Sequence, residues 1–167
     1  ILFIQKHQVP IASFGVLIGG GGLNDPPDRP GLSHLSTSML VEGTSSRSGE
    51  TIAGDMEALG AHLSREVYRE CSLMSSETLL DHWPKGLEII ADVVRNPTFP
   101  NGELERVRKE RISAIQSVAD SPNSIAQRAS RALLYGPDSP YGHPVSGNVS
   151  SMQQITRKEL VENYNIV

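Results

Sequence analysis

Several residue types that often define a protein's chemistry are scarce in this sequence. Cysteine occurs once in 167 residues, at Cys71, which excludes an internal disulfide framework and a cysteine-rich metal site. Aromatic residues make up only 5%, so the core must be mostly aliphatic. No apolar run reaches the roughly 18 residues of a membrane-spanning helix. The sequence therefore predicts a globular chain with an aliphatic core and no membrane span.

Positive charge is also in short supply. The chain has 15 Lys and Arg against 19 Asp and Glu, a formal net charge of -4. Because nucleic-acid binding needs a basic surplus, nucleic acid is excluded as a partner. The glycine run 19–22 leads into Leu-Asn-Asp-Pro-Pro rather than into a helix, which argues against a phosphate-binding loop. No compartment is assigned: the lack of disulfides is compatible with the cytoplasm and leaves a periplasmic or organellar location open.

Apolar periodicity predicts an α+β fold. Strands are predicted at residues 1–5, 11–19, 62–66 and 70–76. Helices are predicted at 31–41, 48–59, 79–94, 101–119, 124–134 and 156–164, with a loop at 137–151. This order is typical of several helices packed on a mainly antiparallel sheet. We expect residues 1–167 to form a single domain. Because the chain stops soon after its last predicted helix, we also expect a truncated fragment of a longer multi-domain chain.

The first predicted helix carries a motif. The segment 31–44 reads G-L-S-H-L-S-T-S-M-L-V-E-G-T. It resembles the motif helix of the pitrilysin and mitochondrial-processing-peptidase family of inverted-zincin metallopeptidases, whose usual form is G-L-A-H-F-x-E-H-M-L-F-x-G-T. In the H-x-x-E-H core of that motif, two histidines one turn apart bind Zn²⁺ and the glutamate takes a proton from zinc-bound water.

Later segments strengthen the resemblance. Residues 89–100, 103–116 and 119–121 read I-I-A-D-V-V-R-N-P-T-F-P, E-L-E-R-V-R-K-E-R-I-S-A-I-Q and A-D-S. They are similar to the family's L-L-A-D-x-x-x-N-P-x-F, E-x-E-R-E-K-x-V-V-L-x-E-I and E-D-S-P segments. Residues 141–147, Y-G-H-P-V-S-G, resemble its H-P-Y-G-R-P-V-x-G loop. The resemblance covers Ile1 to Tyr164 and implies a single peptidase-like domain of the LuxS and processing-peptidase fold.

The resemblance also identifies three lost metal-site residues. His34 stands at the first histidine position, Thr37 at the general-base position and Ser38 at the second histidine position. The distal glutamate ligand aligns with Ala114, and Ser113 is the next nearest position. Since catalytic zinc sites use three protein ligands, this implies that the domain has no catalytic residue and binds no cofactor itself. A zinc site rebuilt from His34 and two of the other histidines is a remaining alternative (His7, His62, His82, His143).

The resemblance implies a function for such a degenerate domain. Domains of the family come in related pairs that close around a chamber, and many members combine a zinc-bearing unit with a degenerate one. The expected partner is a homologous zinc-bearing domain or subunit, and the expected ligand an extended peptide. Leu63, Ser64 and Arg65 replace the family's L-N-A at the candidate substrate edge strand. Two alternatives stay open: an active zinc metalloendopeptidase with atypical ligands, and a structural assembly subunit.

The charged run 103–111 has an ordinary interpretation. Acidic and basic residues alternate there at helical spacing. Such a run is typical of the solvated side of a helix rather than of a binding face.

Overall fold

The computed structural model describes residues 1–2, 4–5, 8–136 and 139–166, except for the side chain of Ala119. Within them lie three strands: β1 (Ile11–Gly19), β2 (His62–Val67) and β3 (Cys71–Leu79). The α-helices are α1 (Leu32–Met39), α2 (Gly49–Ala58), α3 (Trp83–Arg95), α4 (Asn101–Ser117), α5 (Pro122–Tyr135), α6 (Val149–Gln154) and α7 (Arg157–Ile166). The α+β prediction is confirmed. None of the described helices combines the length and the apolarity needed to cross a membrane.

The three strands form one antiparallel sheet in the order β1-β3-β2. Side chains of β3 alternate between the two faces, as strand geometry requires, and its buried positions are Ser72, Met74, Ser76 and Thr78. β2 pairs with β3 along one side, from His62 opposite Glu77 to Val67 opposite Ser72. Its other side is unpaired among the described residues, so β2 is an edge strand.

The core forms around α1. Apolar residues recur on the motif helix at three- and four-residue spacing, which predicts one buried stripe. All four are buried: Leu32, Leu35, Met39 and Leu40. α1 packs against α4 and α7, and the last two helices and the link between them add Met152, Ile155 and Leu160, all fully buried. The hydrophobic core therefore joins the start of the motif helix to the far end of the chain.

Three local predictions need correction. The predicted strand 1–5 is not found at residues 1, 2, 4 and 5, which lie outside the sheet with exposed side chains, while residue 3 lies outside the described residues. For the helix predicted at 79–94, apolar spacing predicts a buried face of Leu80, Trp83, Leu87, Ile90 and Val94. Ile90 is buried, but Leu80 and Trp83 are exposed, and Gly86 and Ile89 face the core instead. The predicted loop 137–151 contains the start of α6, because the side chains of Asn148 and Ser151 form a capping box.

The interpretation of the run 103–111 as a solvated face is wrong for Arg108. This side chain is buried, with 8% of its residue surface exposed. Its guanidinium donates to the carbonyl oxygens of Met152 and Ile155. A cation is stabilised there because these carbonyls lie at the C-terminal end of α6. Arg108 thus ties α4 to α6 rather than facing solvent.

A half-buried carboxylate fastens the loop after α1 to α3. Asp92 accepts hydrogen bonds from the hydroxyls of Thr44 and Ser46, both at 2.8 Å, and from Asn96 at 2.9 Å. It also forms an ion pair with Arg47, with 11% of its side chain exposed. These bonds, led by that from Asn96, hold the pKa of Asp92 well below its usual range.

We expect Asp92→Asn to lower the free energy of unfolding by about 2–3 kcal/mol at pH 7, because several charge-assisted hydrogen bonds are lost. The folded-state pKa lies below the unfolded value of 3.8, so this stabilisation is present above 3.8 and disappears as the pH falls below it. Urea unfolding at pH 7 and at low pH should show the two proteins converging. Exposed Asp81 is the control, and an equal effect of Asp81→Asn would contradict the prediction.

Candidate functional site

The motif helix is anchored at its N-terminus by Asp25. One carboxylate oxygen accepts the backbone N–H of Gly31 at 2.7 Å, and the other accepts the N–H of Ser33 at 2.8 Å and its hydroxyl at 2.6 Å. These are free donors of the first helical turn, and a negative charge is favourable there. Burial raises the pKa of Asp25, while the hydrogen bonds oppose that rise. The start of α1 is therefore fixed independently of any metal.

The hydroxyls at the two substituted motif positions are used within the fold. Thr37 is buried, and its Oγ1 donates to Oγ of Ser72 on β3 at 3.3 Å. Ser38 is buried as well, and its Oγ donates to the carbonyl of His34 one turn earlier, at 2.7 Å. Neither group is a usual zinc ligand or a base near neutral pH. Both side chains act as structural hydrogen-bonding groups.

His34 faces a positively charged environment. It is half-buried, and its Nδ1 has no hydrogen-bond partner among the described residues. Burial, and then the charges of Arg111 and Arg65, lower the pKa of His34 to about 4. The imidazole is therefore neutral at pH 7, and two cations surround the position where a metal would bind.

A cleft of about 310 Å³ opens at this histidine. It lies between α1, β2 and one side chain of α4, and Leu63, Ser64 and Arg65 line it from the edge strand. Arg65 also donates from Nη1 to the carbonyl of Ser38 at 3.3 Å. The structure thus brings the predicted edge-strand residues and the motif helix together at one cleft.

On α4, the side chain that lines this cleft is Arg111. Ala114 and Ser113, the two positions considered for the distal ligand, are both exposed. Ala114 follows Arg111 by three residues, so the two lie on neighbouring parts of the same helical face. The assignment of the distal ligand position to Ala114 stays a prediction.

The donor set does not fit a zinc ion. Among the residues that the structure describes, no three His, Cys, Asp or Glu side chains are grouped to hold a metal. Of the histidines that the structure describes, only His62 shares the cleft with His34. Nδ1 of His82 lies 3.4 Å from the carbonyl of Leu59, and the carbonyl of His143 accepts Arg69. The alternative of a rebuilt histidine site has no support at these positions, and His7 lies outside the described residues.

Two features of the site were missed from the sequence. The charge pattern predicts that Arg111, as part of the run 103–111, faces solvent, whereas in the structure it lines the cleft. Gly31 and Gly147 lie in backbone contact, both with positive φ, of 94° and 73°. A Cβ on Gly31 would stand 2.9 Å from Cα of Gly147. A sequence signal for this contact does exist. Gly31 and Gly147 each stand at a glycine position of a segment that resembles the family, in 31–44 and 141–147.

Comparison with known proteins places this geometry in a family. The sequence model described as Insulinase (Peptidase family M16) matches residues 1–138. The uncharacterized zinc protease YmxG of Bacillus subtilis (strain 168) is 26% identical over 152 residues, or 91% of this chain and 37% of its own length. The mitochondrial-processing peptidase subunit beta of Rattus norvegicus is 25% identical over 158 residues, or 95% of this chain and 32% of its own length.

Solved structures agree in fold. The crystal structure of a peptidase M16 inactive domain from Pseudomonas fluorescens superimposes with a TM-score of 0.86 at 26% identity, over 96% of this chain and 39% of that chain. Pitrilysin superimposes with a TM-score of 0.82 at 17% identity, over 95% of this chain and 17% of its own, which supports the fold alone. The chain spans about a third of the length of the curated relatives it matches. Because the family model matches most of the sequence, the chain belongs to the insulinase family of peptidases, peptidase family M16.

Proposed function

We propose that this chain is a non-catalytic peptidase domain that pairs with a zinc-bearing homologous domain or subunit and helps to enclose a peptide-binding chamber. The observation that carries the proposal is the state of the motif helix. The hydroxyls of Thr37 and Ser38 form hydrogen bonds inside the fold. His34 is then the one motif residue that can act as a metal ligand. One protein ligand does not hold a catalytic zinc.

Local charge supports the same conclusion. Arg111 and Arg65 both lie close enough to His34 to lower the pKa of its imidazole. A divalent cation at this position would be repelled by two guanidinium groups. An active zinc site would need neutral or anionic neighbours here, so the charges disfavour the alternative of an enzyme with atypical ligands.

The edge strand supports peptide binding. The free side of β2 offers backbone donors and acceptors to an extended chain, which is the geometry of strand addition. A second cleft, of about 1240 Å³, adjoins the same strand and is lined by both polar and apolar side chains. This surface suits a peptide of mixed sequence.

Relatives supply the expectation of a partner. They include both an alpha subunit of mitochondrial-processing peptidase, from Solanum tuberosum, at 26% identity, and the beta subunit described above. A structural relative is an inactive domain of the family. A working zinc on a second domain or subunit is consistent with these relatives. A purely structural assembly subunit would instead bind no peptide, alone or with its partner.

The test is the double substitution Thr37→Ala and Ser38→Ala in the intact protein with its partner. We expect the zinc content to be unchanged and kcat/KM for peptide hydrolysis to stay within about twofold, because both hydroxyls donate to groups inside the fold and neither is a usual zinc ligand. Elemental analysis and steady-state kinetics measure both. As a positive control, substitution of the corresponding two residues in an intact motif of the partner should abolish hydrolysis. Loss of one zinc per chain, or a fall of roughly a hundredfold, would establish atypical ligands here.

A further inference from the structure

Two arginine side chains meet in the cleft beside His34 without a carboxylate partner. Arg65 reaches it from β2 and Arg111 from α4. Arg47, Arg106 and Arg108 each form ion pairs, whereas Arg65 and Arg111 form none with the described residues. Burial lowers the pKa of Arg65, and the charge of Arg111 lowers it further, while the charges of Glu42 and Glu110 oppose this change.

The neighbouring carboxylates are engaged elsewhere. Glu42 and Glu110 both pair with Arg106. Glu66, which lines the cleft, accepts a hydrogen bond from the hydroxyl of Tyr68. The described residues that line the cleft therefore carry two guanidinium charges, of Arg65 and Arg111, against the single carboxylate charge of Glu66, while Glu42 and Glu110 act on Arg65 from outside the cleft.

Hydrogen-bond donors in the cleft are also unsatisfied. Nε of Arg111 is buried and has no acceptor among the described residues. Buried donors without a partner are rare in folded proteins, because each loses its hydrogen bond to water and gains none in return. The planar guanidinium of an arginine matches a carboxylate and binds it through two parallel hydrogen bonds. A carboxylate is therefore the preferred acceptor for an arginine without a partner.

The edge strand determines what can reach these donors. A peptide added to the free side of β2 runs past Leu63, Ser64 and Arg65. Its side chains alternate between the two faces, so every second one points towards α1. An acidic side chain on that face, or a C-terminal carboxylate ending there, lies within reach of the two arginines.

We propose that the lost metal site is a carboxylate-binding site, in which Arg65 and Arg111 receive a carboxylate of the peptide bound along β2. This inference rests on the proposed peptide-binding function and adds the charge of the ligand. A peptide carboxylate has two sources, an acidic side chain and the chain terminus, and both present the same group to the arginines.

The experiment is a positional scan with the intact protein and its partner, with a zinc chelator present so that peptides stay whole. A single glutamate is moved along an N-acetylated, C-amidated nonapeptide of Ser, Thr and Ala, and fluorescence anisotropy gives each Kd. We expect the best glutamate position to tighten binding about tenfold over the neutral peptide, with a period of two residues. The neutral peptide with a free C-terminal carboxylate tests the second source.

Variants assign the effect to the cleft. Arg111→Met should remove most of the carboxylate gain, measured as the ratio of the Kd of the neutral peptide to that of the acidic peptide, and Arg111→Lys should keep part of it. Arg95→Met is the matched control, since Arg95 is an exposed arginine on α3, away from the cleft. If Arg111→Met does not fold, Arg65→Met and Arg111→Lys provide the same readout.

Each outcome decides one of the two proposals. Equal binding of neutral and acidic peptides, including the free acid, would overturn the carboxylate site and leave peptide binding intact. If no peptide binds, the proposed function fails, and acetate then serves as the probe by NMR of the His34 ring. An acetate-dependent shift that Arg111→Met removes would retain the carboxylate site, and no shift would overturn it.

Discussion

The protein carrying Thr37→Glu, Ser38→His and Ala114→Glu together is expected to bind one more zinc ion per chain than the wild-type protein. The three changes place a base, a second histidine and a carboxylate around His34, at the positions that we assign to the family's general base, second histidine and distal ligand. Asp25 already holds the N-terminus of this helix. Three protein ligands hold zinc far more tightly than one, and we expect a Kd tighter than about 1 μM. Metal analysis after gel filtration measures the stoichiometry, with circular dichroism to show that the variant is folded.

The charge of Arg111 should influence how tightly the triple variant binds zinc. It acts on His34 and should weaken the binding of a divalent cation there. Adding Arg111→Met should therefore tighten zinc binding by about tenfold or more. The matched control replaces Ala114→Glu with Ser113→Glu. If both Ala114→Glu variants fold and stay metal-free while the Ser113→Glu version binds zinc, the distal position is Ser113.

Gly31→Ala is expected to lower the free energy of unfolding by at least about 3 kcal/mol. The residue has φ of 94°, which strains any side chain, and it lies against the backbone of Gly147. A Cβ would also meet the terminal methyl of Met152, which is fully buried and cannot move away freely. Denaturant unfolding measures the loss, and hydrogen exchange should place it at the first turn of α1.

Gly54→Ala is the matched control for this prediction. Gly54 lies inside α2, and a Cβ there would meet no atom within 4 Å. Alanine in a helix interior is favoured over glycine by about 0.8–1 kcal/mol, so this variant should gain stability. Equal losses in both variants would show that the contact between Gly31 and Gly147 does not carry the effect.

The sequence predicted the parts of the fold that depend on local periodicity. The bounds of β1 and the buried face of α1 follow from apolar spacing within one element, and so does the existence of every α-helix except α6. The substituted positions Thr37 and Ser38 were also visible, since they lie within a contiguous motif. The structure adds that their hydroxyls are bonded inside the fold.

The remaining features depend on long-range contacts that periodicity does not encode. The buried face of α3 is set by the sheet above it, so Gly86 packs there while the large side chain of Trp83 stays exposed. Arg111 and Arg65 lie on different elements, and only the tertiary fold brings them to one cleft. Arg108 looked like its charged neighbours, because its carbonyl partners on α6 lie more than forty residues away.

The link between the start of α1 and the far end of the chain has a consequence for synthesis. The hydroxyl of Ser151 donates to the carbonyl of Pro30 at 2.7 Å, across a separation of 121 residues. Met152, Ile155 and Leu160 complete the same core. While the chain emerges from the ribosome, the part of α1 that is covered by the last two helices must therefore stay exposed until α6 and α7 are made. Because these contacts join distant parts of the chain and form late, folding is slow, and chaperones have a long interval in which to bind the growing chain.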